Sequence, residues 1–434
     1  MKKSISIIFT LSMLFVFTSC FKTEENKWDE TSSERMTRSL AEYEDLLCAA
    51  ENGWVLDYFS NPFEQGYPLL FKFEKNASVV IAGNDEVSTG GVYKASDPTS
   101  YELIADNGPV LTFNTYNPIL HAFCVPWLDP ANPDGLGHQG DYEFVIISGD
   151  ENEFWLKGKK RGYLMRMYKA PVDKQWEDIY TELATIKNNI FKSNVKALIL
   201  VAGEERYRVN KPAQGMLELY PLNNPDALAD YYSYNVELDG TIRLIDAFRG
   251  ANGDMSITAF RVAESGVLAS VEGDTPATIS TGNLNEYILL PGMSWRWNKS
   301  GLKGQIAELY TELSNEASAN SFGKLQSIDL KYDETAGSFV LLMKTYSGYS
   351  GLLFFDTQAE GTDKLTLKFN KEATAASTSS DAKNGLIFYE NLTSLQKIVT
   401  TISTTQTLTT SSPTSPVEMT MTDAAGNVIP MDVK

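Results

Sequence analysis

Histidine is scarce in this chain, and that scarcity narrows the chemistry it can perform. Only His121 and His138 occur among 434 residues. Neither belongs to an HExxH pattern or another close metal-ligand spacing, which argues against zinc catalysis. A Ser-His-Asp arrangement stays open, but no GxSxG elbow is present. We therefore expect both histidines to satisfy backbone groups in aromatic loops.

Basic residues are too few to balance the acidic ones. The chain has 37 Lys and Arg against 56 Asp and Glu, a formal net charge of -19. A phosphate-binding surface needs clustered cations, and the compact basic run at 157–161 is more typical of an exposed hairpin turn. Gly90-Gly91 lacks the strand and helix context of a phosphate cradle. We expect no nucleic-acid partner and no nucleotide site.

Long apolar runs are missing after the first twenty residues. Two lysines follow Met1, residues 5–17 are apolar, and the small Ser19 precedes Cys20. The apolar stretch is too short for a comfortable permanent transmembrane helix, and the order of features is typical of a bacterial lipoprotein signal. We predict that residues 1–19 are a removed signal peptide. The alternative is an ordinary secretory signal followed by an incidental cysteine.

Lipidation at Cys20 predicts a protein held at a membrane. Its thiol takes a thioether-linked diacylglycerol, and acyl chains such as palmitate then form the anchor. Each buried methylene contributes about 0.8 kcal/mol, so two or three chains hold a soluble domain where one would dissociate. Residues 20–31 are polar and lack apolar periodicity, which predicts a lipidated tether.

Two cysteines, Cys48 and Cys124, remain in the mature chain. A disulfide between them stays open, because the compartment would permit one. Cys48 lies near Leu40, Tyr43 and Leu47 on the buried stripe of a predicted helix, so a small buried thiol is the simpler interpretation.

The rest of the pattern predicts an α+β protein made mainly of antiparallel β meanders with a few flanking helices. Apolar residues recur with helical spacing over 33–52 and again over 173–191, which predicts two helices. Gly53 follows the first of them as its predicted C-terminal cap. Short strand-like runs separated by turns fill the interval, and parallel strands would need crossover helices that are not visible. We expect two strand-rich domains, an N-terminal α+β domain over 32–193 and a C-terminal strand-rich domain over 194–434.

The second domain is predicted to combine strands with two helices. The Thr- and Ser-rich residues 400–415 fit either a disordered tail or an exposed loop, and we favour a final hairpin after them. The sequence pattern predicts helices over 303–317 and 392–402, strands at 287–290 and 386–389, and a final hairpin of 417–421 and 428–433.

The segment 127–141 has the strongest character of a binding site. It supplies oxygen donors, and calcium prefers six to eight oxygen ligands, although the spacing differs from that of an EF-hand. The alternative is a proline-rich turn with solvated carboxylates. The predicted calcium ligands are Asp129, Asn132, Asp134 and Asp141.

The same loop offers residues for an organic ligand. Trp127 has the ring size to stack on a sugar face, although burial in a sheet core is a frequent fate for tryptophan. His138 and Asp141 complete the predicted ligand-binding set. Asp141 and Glu143 would also suit a glycosidase pair, but solvated alternation along an antiparallel strand gives the same pattern.

Five short segments carry a family resemblance. They are Glu34-Arg35, Asn52-Gly53-Trp54, Leu111-Thr112-Phe113-Asn114-Thr115-Tyr116-Asn117 with His121, Gly140-Asp141-Tyr142-Glu143-Phe144, and Leu156-Lys157-Gly158-Lys159-Lys160. The chain resembles the Bacteroidetes lipoprotein family grouped as domain of unknown function 4302 (DUF4302), most densely between about residues 30 and 190. Glu24 and Glu25, close behind Cys20, resemble the surface-export signal of such lipoproteins, and a solvated linker is compatible with the same residues.

The resemblance implies an outer-membrane lipoprotein that faces the cell exterior or the periplasm. Such proteins are often associated with nutrient import systems built from a TonB-dependent transporter and a SusD-like partner. The resemblance brings no catalytic residues with it, and we expect the outward-facing location.

These observations lead us to expect a non-catalytic protein that captures or presents a nutrient ligand, glycan or peptide, or serves as an accessory subunit of an import complex. The alternatives are a surface hydrolase acting on glycans or peptides and a purely structural surface protein. Carboxylates clustered in a concave aromatic cleft would favour the hydrolase, whereas a flat surface with exposed aromatic rings would favour the binding protein. No cofactor is expected, apart from the calcium considered above.

Overall fold

The computed structural model describes residues 31–126, 135–193, 195, 197–224, 227–333, 337–414 and 416–434. In this part of the chain, antiparallel strands form one open sheet and two closed sheets, and helices flank them. The α+β class with mainly antiparallel pairing is therefore confirmed. None of the described helices has both the length and the apolar character needed to cross a membrane.

The first sheet has ten strands, and its last strand returns to pair with its first. The order is β4-β3-β2-β1-β10-β9-β8-β7-β6, with β5 paired to β3. The strands are β1 (Trp54–Tyr58), β2 (Tyr67–Glu74), β3 (Ser78–Gly83), β4 (Lys94–Ala95), β5 (Thr99–Ser100), β6 (Glu102–Ala105), β7 (Pro109–Thr112), β8 (Glu143–Gly149), β9 (Glu153–Gly158) and β10 (Leu164–Lys169).

Helices cover both faces of this sheet at its centre. Helix α1 (Ser32–Ala49) begins at a capping box in which Thr31 and Glu34 satisfy each other's backbone N–H groups, and it packs on the face that holds Trp54. Helix α2 (Trp176–Ile190) covers the opposite face, which holds Val55. Every residue of β1 is consequently buried, as expected of a strand covered on both sides.

The second sheet closes on itself, because β11 pairs with both β12 and β18. Aliphatic and aromatic side chains fill its interior. Its strands are β11 (Ala197–Ala202), β12 (Glu205–Asn210), β13 (Met216–Pro221), β14 (Asp230–Val236), β15 (Ile242–Phe248), β16 (Ile257–Val262), β17 (Leu268–Gly273) and β18 (Ala277–Ser280).

The third sheet closes in the same way, through pairing of β19 with β20 and β26. Its strands are β19 (Ser294–Trp297), β20 (Leu325–Asp333), β21 (Ser338–Thr345), β22 (Ser350–Glu360), β23 (Lys364–Phe369), β24 (Thr405–Thr409), β25 (Glu418–Asp423) and β26 (Val428–Val433). The accompanying helices are α3 (Leu284–Tyr287), α4 (Gln305–Ala319), α5 (Lys371–Ala376), α6 (Ser380–Asn391) and α7 (Thr393–Ile402).

Two predicted strands in this region are wrong. Residues 287–290 lie at the end of α3 and in the turn after it, because a short apolar run fits a buried helical turn as well as a strand. Residues 386–389 lie within α6, which packs closely on β22 through Gly385. A Cβ on Gly385 would come within 2.0 Å of the Leu352 carbonyl oxygen, so glycine permits this approach. The predicted helices 303–317 and 392–402 and the final hairpin are confirmed within a few residues.

Both described cysteines are free thiols, so the disulfide that the sequence left open is not formed. The Cys48 Sγ lies 3.4 Å from the Tyr101 hydroxyl, and the Cys124 Sγ lies 3.8 Å from the Tyr58 hydroxyl. Burial raises the pKa of the Cys124 thiol to about 12, so this side chain behaves as a small buried group.

Buried charges connect the first sheet to the second. Glu237, between β14 and β15, accepts hydrogen bonds from Arg166 of β10 and Arg243 of β15. Arg243 also makes a two-pronged contact with Glu272 at 2.7 and 2.9 Å. Asp57 of β1 is fully buried beside this network, and its pKa is raised well above the ordinary value by burial and by the neighbouring Glu237 carboxylate.

Candidate functional site

The loop that the sequence favours as a site begins after a short 3-10 helix, Leu120–Phe123. Four of its predicted site residues, Trp127, Asp129, Asn132 and Asp134, lie outside the described residues. The two that are described, His138 and Asp141, lie in the last residues of the loop, just before β8. The structure gives these two side chains separate sets of partners.

His138 belongs to a polar cluster centred on Glu64. The His138 Nδ1 atom lies 2.8 Å from Glu64 Oε2, and the Tyr67 hydroxyl donates to the same oxygen at 2.8 Å. Asn61 donates to Glu64 Oε1 at 2.7 Å and to the His138 carbonyl at 3.1 Å. Burial acts to raise the pKa of Glu64, but the hydrogen bonds from His138, Asn61 and Tyr67 outweigh it and hold that pKa below its ordinary value. This cluster therefore fixes the orientation of the His138 ring with an ionised carboxylate.

Asp141 is occupied by the turn between β9 and β10. Its side chain is 3% exposed and accepts the backbone N–H groups of Lys160 at 3.0 Å and Arg161 at 2.9 Å. Burial raises its pKa, against the effect of these two N–H groups. The Tyr58 hydroxyl donates to the Asp141 carbonyl at 3.0 Å. These contacts describe a residue that joins the loop to the hairpin.

The predicted calcium set is only partly visible. Among the residues that the structure describes, no group of three or more His, Cys, Asp or Glu side chains is arranged to hold a metal ion. Asp141 directs its two carboxylate oxygens to backbone N–H groups. Asp129, Asn132 and Asp134 lie in the part that is not described, so the calcium site stays a prediction.

An exposed aromatic patch, formed by Tyr116, His121 and Tyr142, lies on the connection between β7 and β8. The His121 ring stacks on Tyr142 with centroids 5.1 Å apart and an interplanar angle of 25°. The Tyr116 ring is tilted by 42° against His121, with centroids 5.3 Å apart. Tyr116 and Tyr142 are 62% and 39% exposed, so their rings remain accessible. The three neighbouring rings give this surface a cluster of aromatic contact area.

Local structure explains why these rings meet. The last residue pair between β7 and β8 is Thr112 with Glu143, so the connection of residues 113–142 leaves and re-enters the sheet at one point. Asn117 is fully buried, and its Oδ1 accepts the N–H groups of Ile119 at 3.0 Å and Leu120 at 3.2 Å. These bonds start the 3-10 helix that carries His121.

The imidazole in the patch is held in a defined state. The His121 Nδ1 atom accepts the Asn117 N–H at 3.1 Å. Burial lowers the pKa of His121, so the neutral ring is favoured at neutral pH. The expectation that this histidine satisfies a backbone group in an aromatic loop is confirmed.

Our sequence interpretation missed this patch as a site. All three residues lie in or beside segments that carry the family resemblance, but Tyr116 and Tyr142 lie near opposite ends of one connection, residues 113–142, with 25 residues between them. The pairing of β7 with β8 brings the two ends of this connection together. A cluster of aromatic residues in loops that flank paired strands is the signal that was present in the sequence.

A separate open cleft of about 530 Å³ lies where the end of α1, β2 and the start of α2 meet. Trp176 and Tyr93 line it together with Glu51 and Glu177. The Trp176 Nε1–H donates to the Asn52 carbonyl at 2.9 Å, which fixes the indole. This cleft combines aromatic rings and carboxylates in a concave surface.

The fold and these surfaces define a protein of three antiparallel sheets with an exposed aromatic patch and a part-buried polar cluster. The chain belongs to the family described as Domain of unknown function (DUF4302), whose model matches residues 24–260. The matched range includes the whole first sheet and ends within β16 of the second. The search of curated proteins gives no match.

The comparison with solved structures gives DNA polymerase sliding clamps at very low similarity. The DNA polymerase III subunit beta from Pseudomonas aeruginosa is 10% identical, with 92% of this chain and 98% of that chain covered and a TM-score of 0.13. The beta subunit from Streptococcus pyogenes is also 10% identical, with coverages of 92% and 97% and a TM-score of 0.13. The subunit beta from Borrelia burgdorferi is 7% identical, with coverages of 92% and 96% and a TM-score of 0.11. Scores this low support no conclusion about fold or function.

Proposed function

We propose that this protein is a lipid-anchored surface protein of the outer membrane that captures a glycan without cleaving it, as a binding or accessory component of a nutrient import system. A TonB-dependent transporter and a SusD-like protein are the proposed partners. The lipoprotein signal ending at Cys20 and the family membership support the setting. The aromatic patch supports the activity.

The neighbouring rings of Tyr116, His121 and Tyr142, of which the two tyrosines are exposed, carry this proposal. The C–H faces of a sugar ring are apolar and flat, so they pack on aromatic faces while the hydroxyl groups remain in water. Tyrosines also give a large contact area at a small cost in side-chain entropy. A neutral His121 suits such a surface better than a charged one, because it need not be kept hydrated.

The contacts of Glu64 and Asp141 support binding over hydrolysis at these two carboxylates. A general acid needs a raised pKa and access to its substrate. Glu64 has a lowered pKa, and its carboxylate contacts four donor groups, which belong to Ser60, Asn61, Tyr67 and His138. Asp141 has a raised pKa, but its carboxylate is buried against two backbone N–H groups and gives a substrate no access. Neither environment matches that of a glycosidase acid.

Thermal unfolding of the purified protein with a panel of neutral hexasaccharides tests the proposal, because a ligand that binds only the folded state raises its stability. We expect at least one glycan to raise the unfolding temperature. Tyr116→Ala and Tyr142→Ala should each lower the affinity for that glycan at least fivefold, a loss of about 1 kcal/mol in binding free energy. Tyr346→Ala, which removes a 74% exposed ring from the third sheet, is the matched control and should bind normally. Unchanged binding by both patch variants would refute the assignment.

The cleft with Glu51, Glu177, Trp176 and Tyr93 is the observation that favours the alternative, a surface hydrolase. Chromatography of the same glycans after incubation distinguishes the two functions. Intact glycan supports capture. Fragments that disappear in a Glu51→Gln, Glu177→Gln double variant would instead establish hydrolysis in the cleft.

A further inference from the structure

A small cavity between the first and second sheets contains a lysine without a carboxylate partner. The cavity has a volume of about 180 Å³ and lies between the start of β2, helix α2 and strand β14. Lys187 of α2 reaches into it. Its Nζ atom donates to Gln65 Oε1 at 3.2 Å and lies 5.8 Å from the Tyr234 ring centroid. No described carboxylate forms an ion pair with it.

The surroundings desolvate the ammonium group in part. Tyr234 is buried, and the backbone of Gly215 closes the adjacent side. A Cβ on Gly215 would come within 3.0 Å of Lys187 Nζ and 2.4 Å of Gln65 Cβ. Burial lowers the pKa of Lys187 to about 8. At neutral pH the protein therefore holds a partly desolvated cation that no described anion compensates.

The remaining walls are mostly apolar. Tyr67, Pro68, Tyr180, Leu183 and Val236 line the cavity beside Tyr234. The Tyr67, Tyr180 and Tyr234 hydroxyls already donate to Glu64, the Ala82 carbonyl and the Pro212 carbonyl. Asp85 is the carboxylate in the lining, and Ser88 satisfies it through its N–H and hydroxyl, both at 2.7 Å. Lys187 is thus the charged group available to a ligand.

We propose that this cavity binds a small organic monocarboxylate, with its carboxylate on the Lys187 ammonium and its apolar body against the tyrosine, proline and leucine side chains. The volume equals that of about six liquid water molecules, which limits the ligand to a short aliphatic or single-ring acid. An ammonium at the end of an apolar cavity pairs best with one compact anion. The site is separate from the aromatic patch and does not depend on the function proposed for it.

Calorimetric titration of the purified protein with benzoate and butyrate tests this inference, with benzamide and butyramide as uncharged analogues of the same shape. We expect the acids to bind at least tenfold more tightly than the amides at pH 7. Lys187→Met should abolish the difference between acid and amide, and Lys383→Met, on the exposed side of α6, should preserve it. Inorganic phosphate should not compete, because the cavity offers one cation and an apolar wall.

The pH dependence gives a second signature. A carboxylate prefers the charged lysine, so binding should be strongest below pH 8 and weaken as the pH rises through about 8. The groups nearest the Lys187 ammonium are neutral Gln65 and the Tyr234 ring, and neither titrates in this range. Asp85 is the charged group elsewhere in the lining, where its carboxylate accepts the N–H and hydroxyl of Ser88.

A direct readout keeps the inference testable if Lys187→Met does not fold. Lysines carrying ¹³C-methyl groups report the Lys187 pKa by NMR in the wild-type protein, and benzoate should raise it. Three results would each overturn the inference. They are equal affinity for benzoate and benzamide, competition by phosphate, and a Lys187 pKa that does not change at about 10 mM benzoate.

Discussion

Asp57 illustrates how one buried carboxyl group responds to the charges around it. Arg166 and Arg243 supply two positive charges at this position, and Glu153, Glu237 and Glu272 already supply three negative ones. Both Asp57 carboxyl oxygens are buried without a donor from another group. Ionised Asp57 would add a fourth negative charge in a low-dielectric environment. We therefore infer a protonated Asp57 that donates to Glu237, in agreement with its raised pKa.

Asp57→Asn should raise the free energy of unfolding at pH 8 by about 1 kcal/mol or more, because asparagine keeps a donor and needs no bound proton. In the wild type, the folded pKa of Asp57 lies above the unfolded value of 3.8. The folded state holds the extra proton between these two pKa values, so stability falls as the pH rises, by up to about 1.4 kcal/mol per unit. Urea unfolding between pH 4 and 8 should show this slope and its reduction in the variant.

Asp150→Asn is the opposite control for that experiment. Asp150 is exposed at a turn, and the N–H groups of Asn152 and Glu153 lower its pKa. Its contribution to stability is present at neutral pH and lost on acidification. The variant should not gain stability at pH 8. A loss of stability in Asp57→Asn at pH 8 would contradict the protonated state.

At the scale of elements, Asp141 stabilises the β9–β10 hairpin from a neighbouring loop. Its oxygens accept two N–H groups of the hairpin turn, and its carboxyl packs on Gly158, where a Cβ would lie 2.3 Å from Oδ2. Asp141→Ala should lower the free energy of unfolding by about 1 to 2 kcal/mol because these donors lose their acceptor. Asp141→Asn should cost less than alanine, because its one oxygen still accepts one of the two N–H groups, although its NH2 group cannot accept the other.

Chemical denaturation and glycan titration of both Asp141 variants separate a structural role from a binding role. The structure predicts a change in stability with little change in the affinity of folded protein for its glycan. If Asp141→Ala had normal stability but bound the glycan more weakly, Asp141 would be a ligand-binding residue, as the sequence predicted.

The sequence predicts a helix well where apolar residues recur with the helical period along one face. The stripes of α1, α2, α4 and α7 were readable because their apolar residues recur on the helical period against a sheet. The strand predicted at 386–389 failed because four apolar residues contain no decisive period. The long-range contact of Gly385 with β22 determines that segment, and such a contact cannot be read from neighbouring residues.

At the scale of the molecule, sheet closure is the feature that the sequence conceals. β11 and β18 meet across about 75 residues, and β19 and β26 across about 130. Alternating strands predict antiparallel pairing, but an edge strand carries no local mark of its distant partner. The segment 194–434, predicted as one strand-rich domain, consequently contains two closed sheets. The aromatic patch escaped prediction for a different reason: it lies on the connection between the consecutive strands β7 and β8, where a 3-10 helix carries His121 to the two tyrosines.

The anchor determines where the whole molecule acts, and it is tested by one substitution. Cys20→Ala removes the thiol that takes the lipid, so we expect the protein to leave the membrane fraction and become soluble after cell lysis. Cys48→Ala changes a half-buried thiol in α1 and should leave membrane retention intact. Protease treatment of intact cells then reports the side of the membrane, because an outward-facing protein is digested while an inward-facing one is protected. If the Cys20→Ala protein stays in the membrane fraction, lipidation is not what holds it there, and the proposed place beside an import complex would need a direct protein contact instead.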